Sequence, residues 1–209
     1  MPRESAGEKL ERLTRIERSL WAEGAAVAGI DEVGRGPLAG PVVTACVVIP
    51  RDKLVPGVDD SKKLSEKRRE ALYDQLIEAA DYVRVARLEP EDIDRINILE
   101  ATRLCMEKCA EGAPGALFLV DALEHLRLPG EQKALVHGDA ISYMIAAASI
   151  IAKVTRDRWM VELDACYPEY GFARNKGYGT PEHIEALRRV GPCPVHRRSF
   201  IGGILGGKP

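Results

Sequence analysis

Residues 28–41 read Ala-Gly-Ile-Asp-Glu-Val-Gly-Arg-Gly-Pro-Leu-Ala-Gly-Pro, and this stretch organises the chain around it. It joins an apolar run over residues 25–30 to a second one over residues 42–49. Both runs have the length and the Gly/Pro boundaries of buried β-strands. Because only a short loop separates them, we expect the two strands to pair as a hairpin.

Asp31 and Glu32 stand side by side at the end of the first predicted strand. Successive strand side chains point to opposite faces, so at most one of the two acids can point into a packed core. Buried carboxylates are costly unless positive charge lies beside them, and a divalent cation or a phosphate-bound metal would supply that charge. The pair therefore predicts a charged ligand at this strand end.

Two further acids follow predicted strands. Asp121 comes after the strand over 116–120, and Asp139 comes after a strand over 134–136 and opens a helix predicted over 141–160. Ligands collect at the strand ends of open α/β sheets, so the four acids can converge there. Their hard oxygen ligands suit Mg²⁺ or Mn²⁺. Two alternatives stay open, in which Asp139 only caps its helix and Asp121 is only a loop acid.

The other elements follow from periodicity and capping residues. We predict helices over about 8–21, from the N-cap Ser65 to Ala80, from 89 to about 111 and, after the N-cap Thr180, over 181–190, with a strand over 82–88. Strands and helices in mixed order favour the α/β class, with a mixed central sheet flanked by helices and a helical C-terminal part. Residues 1–209 are predicted to form a single domain.

Charge is spread unevenly over the 209 residues, although the formal net charge is only −2. A C-terminal basic segment, about 171–209, carries a charge of +5, and five more cations lie between Lys62 and Arg69. The cations of the C-terminal segment are Arg174, Lys176, Arg188, Arg189, Arg197, Arg198 and Lys208. This distribution favours either an ordinary solvated surface or a basic rim that contacts phosphates around an acidic centre.

The five cysteines lack the dense spacing of a disulfide framework, so we expect buried free thiols and a reducing compartment. No apolar run approaches the ~18 residues of a membrane span. Residues 1–5 lack the apolar core of a signal peptide. We therefore expect a cytoplasmic protein that does not enter a membrane.

Two glycine-rich segments are candidate binding loops. Gly34-Arg35-Gly36 lacks the ending of a Walker loop and the spacing of a dinucleotide fingerprint. Its glycines would let backbone N–H groups and Arg35 approach a sugar–phosphate edge, unless the segment is only a tight turn. In residues 175–180, Tyr178 lies between two glycines and could stack on a sugar or base, unless the segment is only a flexible surface loop.

Eight motifs, in order along residues 28–200, together resemble ribonuclease HII. They are residues 29–41, Asp-Ser-Lys-Lys-Leu (60–64), Asn-Ile-Leu-Glu-Ala-Thr (97–102), Asp121, Gly-Asp-Ala (138–140), Ala-Ala-Ala-Ser-Ile-Ile-Ala-Lys-Val-Thr-Arg-Asp (146–157), Lys-Gly-Tyr-Gly-Thr (176–180) and His-Arg-Arg-Ser-Phe (196–200). The related type HIII enzymes usually have a different loop after the paired acids and an extra N-terminal domain. The resemblance therefore favours type HII.

The resemblance implies a ribonuclease H-like fold and an endonuclease, dependent on Mn²⁺ or Mg²⁺, that acts on RNA paired with or joined to DNA. The implied catalytic and metal-binding residues are Asp31, Glu32, Asp121 and Asp139. We expect a monomer whose partner is an RNA–DNA hybrid or duplex DNA with embedded ribonucleotides. The leading hypothesis is two-metal-ion cleavage 5′ of a ribonucleotide, which leaves 3′-hydroxyl and 5′-phosphate ends.

The resemblance also assigns substrate-binding residues. Gly34, Arg35 and Gly36 would read the 2′-hydroxyl at the cleavage site, and Tyr178 would work with them at an RNA–DNA junction. The less specific phosphate-contacting set is Ser61, Lys62 and Lys63. Two departures from the family pattern, at His137 and at residues 122–123, bear on substrate preference. The alternatives are a hybrid-binding protein without activity and an integrase-like nuclease that cuts all-DNA duplex.

Overall fold

The computed structural model describes residues 5–114 and 117–206, and its centre is a five-stranded mixed sheet. The strands are β1 (Val27–Val33), β2 (Val42–Val48), β3 (Tyr82–Leu88), β4 (Leu117–Asp121) and β5 (Glu131–Leu135). In the order β3-β2-β1-β4-β5, the first three strands are antiparallel, whereas β1, β4 and β5 run parallel. The carboxyl ends of β1, β4 and β5 therefore meet at one end of the sheet.

Helices cover both faces of this sheet, as predicted. They are α1 (Ala6–Leu13), α2 (Arg15–Ala22), α3 (Glu66–Ala79), α4 (Pro90–Ile96), α5 (Ile98–Ala110), α6 (Gly138–Ile141), α7 (Tyr143–Cys166), α8 (Phe172–Asn175), α9 (Pro181–Val190) and α10 (Arg198–Ile201). Alternate residues of β2 face opposite sides: Val43 and Ala45 pack with α7, and Val42 packs with α5. Gly29 lets α7 lie directly on β1, because a Cβ there would be 2.2 Å from the Met144 carbonyl carbon.

The predicted hairpin is confirmed, because β1 and β2 are antiparallel neighbours. The first strand continues past the acids predicted at its end, however, and extends to Val33. Asp31 and Glu32 pair in register with Ala45 and Thr44. The acids thus belong to the sheet itself, which fixes their backbone more firmly than a loop would.

Two helices predicted as continuous are interrupted. The N-terminal helix predicted over 8–21 divides at Thr14, whose hydroxyl donates to the Leu10 carbonyl oxygen at 2.7 Å. The helix predicted over 89–111 divides at Asn97, which has a φ of +67° and accepts from the backbone N–H groups of the new first turn. With a ψ of 164° this residue lies outside the helical regions in a strained conformation, and its side chain is a preferred N-cap, so one residue ends α4 and begins α5.

Capping residues set the boundaries of the other helices. Ser65 and Thr180 cap α3 and α9 as predicted, each accepting from a backbone N–H in the first turn. Ser142 caps α7 in the same way, so this helix begins two residues later than predicted and continues to Cys166. The strand predicted over 134–136 instead spans β5, an edge strand of half-buried and exposed residues without the apolar run expected of a core strand. Ala116, in the strand predicted over 116–120, lies outside the described residues.

Burial of the thiols largely agrees with expectation. Cys46, Cys105, Cys109 and Cys193 are buried free thiols, whereas Cys166 at the end of α7 is exposed. Within residues 5–114 and 117–206, no helix is both long enough and apolar enough to cross a membrane.

Candidate active site

Three carboxylates meet where β1 and β4 lie side by side. Asp31 and Glu32 belong to β1, and Asp121 is the last residue of the parallel strand β4. One carboxylate oxygen from each lies within 4.8 Å of the others. The parallel pairing of β1 and β4 therefore brings together residues that are 90 positions apart in the sequence.

The electrostatics of this cluster favour a bound cation. Burial, followed by the charges of Glu32 and Asp121, raises the pKa of Asp31 well above its ordinary value. Burial is also the main reason that the pKa of Glu32 is raised, although Arg35 acts in the opposite direction. For Asp121, burial again raises the pKa most, and the Gly138 N–H opposes it. Positive charge placed among these acids would relieve both the desolvation and the mutual repulsion.

Asp139 lies beside the cluster, in the short helix α6. Its Oδ2 accepts from Lys62 Nζ at 2.9 Å, and its charge contributes to the raised pKa of Asp31 and of Asp121. The Gly138 N–H donates to Asp121 Oδ1 at 2.7 Å and so joins the start of α6 to the end of β4. Asp139 is inside α6 and is not its N-cap residue, so the alternative of a simple helix cap is wrong.

The donor set fits a divalent cation of the Mg²⁺ or Mn²⁺ type. Carboxylate oxygens are the ligands that these hard ions prefer, and they bind through one or a few carboxylates plus water and phosphate oxygens. Among the described residues, three acids lie close enough together to share one ion: Asp31, Glu32 and Asp121. Asp139, a few residues beyond β5, lies outside this group of three, and its carboxylate pairs with Lys62.

The glycine loop after β1 is held from behind by a buried arginine. Arg197 is fully buried and donates to the carbonyl oxygens of Gly34 at 2.5 Å and of Arg35 at 2.9 Å. Gly34 has a φ of +89°, and a Cβ there would be 2.3 Å from Arg156 Nε. Arg35 itself is directed back toward the acids, with Nη1 3.6 Å from Glu32 Oε1.

Tyr178 lies next to this loop. A Cβ added to Gly36 would be 3.9 Å from Tyr178 Cε1, and the Tyr178 ring is 43% exposed. The Leu38 N–H donates to the Gly177 carbonyl oxygen at 2.8 Å, so the two glycine-rich segments are hydrogen-bonded to each other. The tyrosine segment is therefore fixed to the glycine loop and is not an independent surface loop.

Residues 61–63 lie on the other side of the acids and have unequal exposure. The Lys62 ammonium pairs with Asp139, and the Lys63 ammonium is 3.8 Å from Asp60 Oδ2. Ser61 is only 6% exposed, and its carbonyl oxygen accepts from Arg69 at 3.0 Å. The two lysines can thus reach a ligand at the surface, whereas Ser61 presents little side chain to one.

Two buried arginines hold the loops, and the sequence alone predicts this role for neither of them. Arg197, counted among the cations of a basic rim, is buried and holds the glycine loop. Arg156, inside the motif over residues 146–157, is fully buried and donates to the carbonyl oxygens of Ala39, Pro41 and Lys176. Their positions inside the motifs 146–157 and 196–200 were the available signal. Lys208 of the same predicted rim lies outside the described residues.

A mixed sheet with clustered carboxylates at its strand ends, beside a glycine loop and surface lysines, defines a metal-dependent hydrolase of phosphodiesters. The family model for ribonuclease HII matches residues 28–202, and the chain belongs to the ribonuclease HII family. Ribonuclease HII of Desulfitobacterium hafniense strain Y51 is 54% identical over 196 residues, which cover 92% of this chain and 75% of that protein.

Solved structures agree with this assignment. Ribonuclease H2 from Pyrococcus horikoshii OT3 is 31% identical, with a TM-score of 0.71 over 86% of this chain and 97% of that one. The ribonuclease HII from Archaeoglobus fulgidus, solved in complex with PCNA, is 28% identical, with a TM-score of 0.73 over 84% of this chain and 95% of that one. The chain is therefore a metal-dependent ribonuclease H-type hydrolase, an endoribonuclease for RNA–DNA hybrids. The two alternative predictions, a hybrid-binding protein without activity and an integrase-like DNA nuclease, are therefore wrong.

Proposed function

We propose that this enzyme cuts 5′ of single ribonucleotides embedded in duplex DNA, as well as the RNA strand of longer hybrids, and leaves 3′-hydroxyl and 5′-phosphate ends. The observation that carries the proposal is the cluster of Asp31, Glu32 and Asp121, three partly or fully buried acids whose oxygens lie within 4.8 Å of one another. Such a concentration of negative charge is costly, and cations beside it would relieve the repulsion.

In this proposal Asp31, Glu32, Asp121 and Asp139 hold two divalent ions, Mn²⁺ or Mg²⁺. Bound there, such ions lower the pKa of an attacking water and support the leaving oxygen of the phosphodiester. The protein's own contribution is geometric and electrostatic. The sheet fixes Asp31, Glu32 and Asp121, and the Gly138 N–H at the start of α6 also holds the Asp121 carboxylate.

Recognition of the ribonucleotide falls to the two joined loops. RNA differs from DNA at the 2′-hydroxyl, which only a close contact can read. The backbone of Gly34, Arg35 and Gly36 allows that approach, and Tyr178, beside Gly36, can stack on the adjoining sugar or base. Lys62 and Lys63 are proposed phosphate contacts at the rim, and Ser61 is proposed to support them from its buried position.

The metal assignment is tested with a labelled DNA duplex that carries one ribonucleotide, in Mn²⁺ or in Mg²⁺. We expect Asp31→Asn and Asp121→Asn to lower kcat at least about a thousandfold, because each removes a charged ligand from the ions. Asp52→Asn, an exposed acid in the turn after β2, is the matched control and should cleave like wild type. Wild-type rates in either ligand variant would contradict the assignment.

The substrate assignment needs three duplexes of the same sequence: one with a lone ribonucleotide, a continuous hybrid and an all-DNA duplex. We expect cleavage of the first two and none of the third, with a single cut on the 5′ side of the lone ribonucleotide. Tyr178→Ala should lower kcat/KM on the lone ribonucleotide more than on the hybrid. Equal cleavage of the all-DNA duplex would contradict ribonucleotide recognition.

A further inference from the structure

Two histidines, His183 of α9 and His196, are buried beside the backbone of Tyr178. Their Nε2 atoms are 3.0 Å apart. His183 Nδ1 is 2.8 Å from the Tyr178 carbonyl oxygen, and His196 Nδ1 is 3.1 Å from both the backbone nitrogen and Sγ of Cys193. These contacts form a continuous hydrogen-bonded chain from Cys193 to the backbone of Tyr178.

Donor and acceptor chemistry fixes each proton in this chain. A carbonyl oxygen can only accept, so His183 Nδ1 must carry a proton toward Tyr178. The Nε2 atom of neutral His183 then accepts, and the proton between the rings belongs to His196 Nε2. His196 Nδ1 is left to accept from the Cys193 N–H, which is a donor only. One pair of tautomers therefore satisfies the contact to Tyr178, the contact between the rings and the contact to the Cys193 N–H while both rings stay neutral.

The surroundings keep both rings neutral. Burial, followed by the neighbouring His183, lowers the pKa of His196 to about 4. Burial also lowers the pKa of His183. Tyr170 and Phe172 pack against both imidazole rings, with ring centroids 4.7–6.1 Å from them. The two histidines are thus held in a mostly apolar cluster, where neutral rings can serve both packing and directional hydrogen bonding.

The same chain reaches the glycine loop through backbone contacts. His196 forms an isolated antiparallel bridge with Ala39, a few residues after Gly36. Its backbone is therefore attached to the segment that carries the glycine loop, and its side chain is attached through His183 to the segment that carries Tyr178. His196 and His183 are in this way a link between the two loops proposed to read the ribonucleotide.

We propose that His183 is a positioning residue, held in its Nδ1–H tautomer by His196, that sets the distance between the Gly34–Gly36 loop and Tyr178, and so sets the preference for a lone ribonucleotide over continuous RNA. The proposal rests on the proposed function of Tyr178. Neither histidine touches the substrate, and both act through the Tyr178 backbone. Changing the donor at His183 Nδ1 should therefore alter selectivity while the acid cluster stays intact.

Two amide substitutions at one position separate this role from general packing. In His183→Asn the amide N–H can take the place of Nδ1–H and still donate to the Tyr178 carbonyl oxygen. In His183→Gln the longer side chain carries its amide near the Nε2 position and leaves that carbonyl without the donor. Both variants lose the imidazole ring, so any effect of lost packing is shared between them. His125→Asn, an exposed histidine at another loop, is the matched control.

The measured quantity is the ratio of kcat/KM on the lone-ribonucleotide duplex to kcat/KM on the continuous hybrid. We expect His183→Gln to lower this ratio about threefold to tenfold, the range for one lost hydrogen bond, and His183→Asn and His125→Asn to leave it near wild type. Equal ratios in the Asn and Gln variants, whether lowered or unchanged, would overturn the positioning role. Thermal unfolding of each variant establishes that it is folded at the assay temperature.

The proton positions can be measured without any substrate. In the wild-type protein, ¹⁵N–¹H correlation spectra of the imidazoles should show His183 as the Nδ1–H tautomer and His196 as the Nε2–H tautomer at neutral pH. The opposite tautomer at either ring would break the chain and overturn the proposal.

The Tyr178→Ala variant separates this proposal from the proposed function. If it lowers the ratio while His183→Gln does not, the role of Tyr178 stands and the positioning role is refuted. If Tyr178→Ala leaves the ratio unchanged, the proposed role of Tyr178 fails first, and the positioning role fails with it.

Discussion

The loops of the candidate site depend on two buried guanidinium groups. Arg156 and Arg197 are fully buried and donate to backbone carbonyl oxygens of the segments around the glycine loop. Burial lowers the pKa of Arg156 to about 10 and that of Arg197 to about 9, so both stay charged at neutral pH. A buried charge is tolerable only while its hydrogen bonds are complete. A loop movement that broke these hydrogen bonds would leave a buried charge unsatisfied. The two arginines therefore hold the loops in one conformation.

Gly34 is the residue whose backbone this arrangement constrains most. Gly34→Ala would place a Cβ at a φ of +89°, 2.3 Å from Arg156 Nε and 2.8 Å from the Pro41 carbonyl oxygen. We expect this substitution to lower the free energy of unfolding by about 1–3 kcal/mol, because it adds backbone strain and displaces a buried guanidinium. Cleavage of the lone-ribonucleotide duplex should fall as well. Urea unfolding measures the first effect.

Gly36 is the internal comparison for that experiment. A Cβ at Gly36 meets no atom closer than Tyr178 Cε1 at 3.9 Å, and its φ lies outside the left-handed region. Gly36→Ala should therefore stay within about 0.5 kcal/mol of wild-type stability. Equal destabilisation of the two variants would show that the strain at Gly34 does not distinguish the two glycines.

The sequence predicts those helix ends that depend on hydrogen bonds within a single turn. The ends of α3 and α9 were predictable because Ser65 and Thr180 satisfy backbone donors within their own first turns. The break at Asn97 could not be predicted, because helical periodicity continues through the flanking segments. Only the packing of the two helices decides that this residue takes a positive φ. The bounds predicted for β5 differ from the observed ones, because the residues of this edge strand lack an apolar run.

The residues of the candidate site could likewise be identified from the local sequence, whereas their arrangement depends on contacts between distant segments. Asp31, Glu32 and Asp121 could be identified from strand ends, but their separation depends on β1 pairing with β4. Arg197 was misassigned because a sequence shows charge without showing burial. Predicting its position would have required the arrangement of segments that are 160 residues apart.

Helix α2 contributes to the site from outside the stretch that the family model matches. Glu17 is fully buried, and its Oε1 accepts from Ser142 Oγ at 2.6 Å and from the Met144 N–H at 3.0 Å. Burial raises the pKa of this carboxyl, and the hydrogen bond from Ser142 partly opposes the shift. The contacts hold the junction between α6, which carries Asp139, and the start of α7.

Removing this contact should loosen the junction. We expect Glu17→Ala to lower the free energy of unfolding by about 2–3 kcal/mol, because it leaves two buried donors without an acceptor. Glu17→Gln should cost less, since the amide oxygen can still accept from both. Glu23→Ala, at the exposed C-cap of the same helix, is the control, with an expected change below about 0.5 kcal/mol. If chemical denaturation gives Glu17→Ala the stability of this control, α2 does not brace α7.

Across the whole molecule, the exposed large apolar residues are scattered over several elements. In the described part of the chain they are Ile77, Leu99, Val136, Ile141, Val161, Tyr178, Val190 and Leu205. Scattered residues of this kind are ordinary on a monomer. The monomeric state and the single domain over 1–209 remain predictions, and light scattering during size-exclusion chromatography measures the first of them.

The acid cluster also affects the stability of the entire fold. An acid whose pKa is raised by folding costs stability at every pH above its unfolded pKa, because it ionises more readily in the unfolded chain, and the cost is largest above its folded pKa. The pKa of Asp31 is raised well above its ordinary value by burial and by the charges of Glu32 and Asp121. At neutral pH without divalent cations, the enzyme therefore loses stability because of the charges its chemistry requires.

This cost predicts opposite effects of one substitution on stability and on activity. In a chelator at pH 7.5, Asp31→Asn should raise Tm by a few degrees, because ~1 kcal/mol corresponds to ~2–4 °C for a domain of this size. Its amide oxygen can still accept from the Glu32 N–H, as the carboxylate does at 2.7 Å. Mn²⁺ or Mg²⁺ should raise Tm of the wild type, since a ligand of the folded state stabilises it, and should raise that of Asp31→Asn less. The control Asp52→Asn should respond to the ions like wild type in the same thermal scans. If Asp31→Asn has a lower Tm than wild type in the chelator, or gains as much from the ions, buried repulsion at Asp31 is not what the cations relieve.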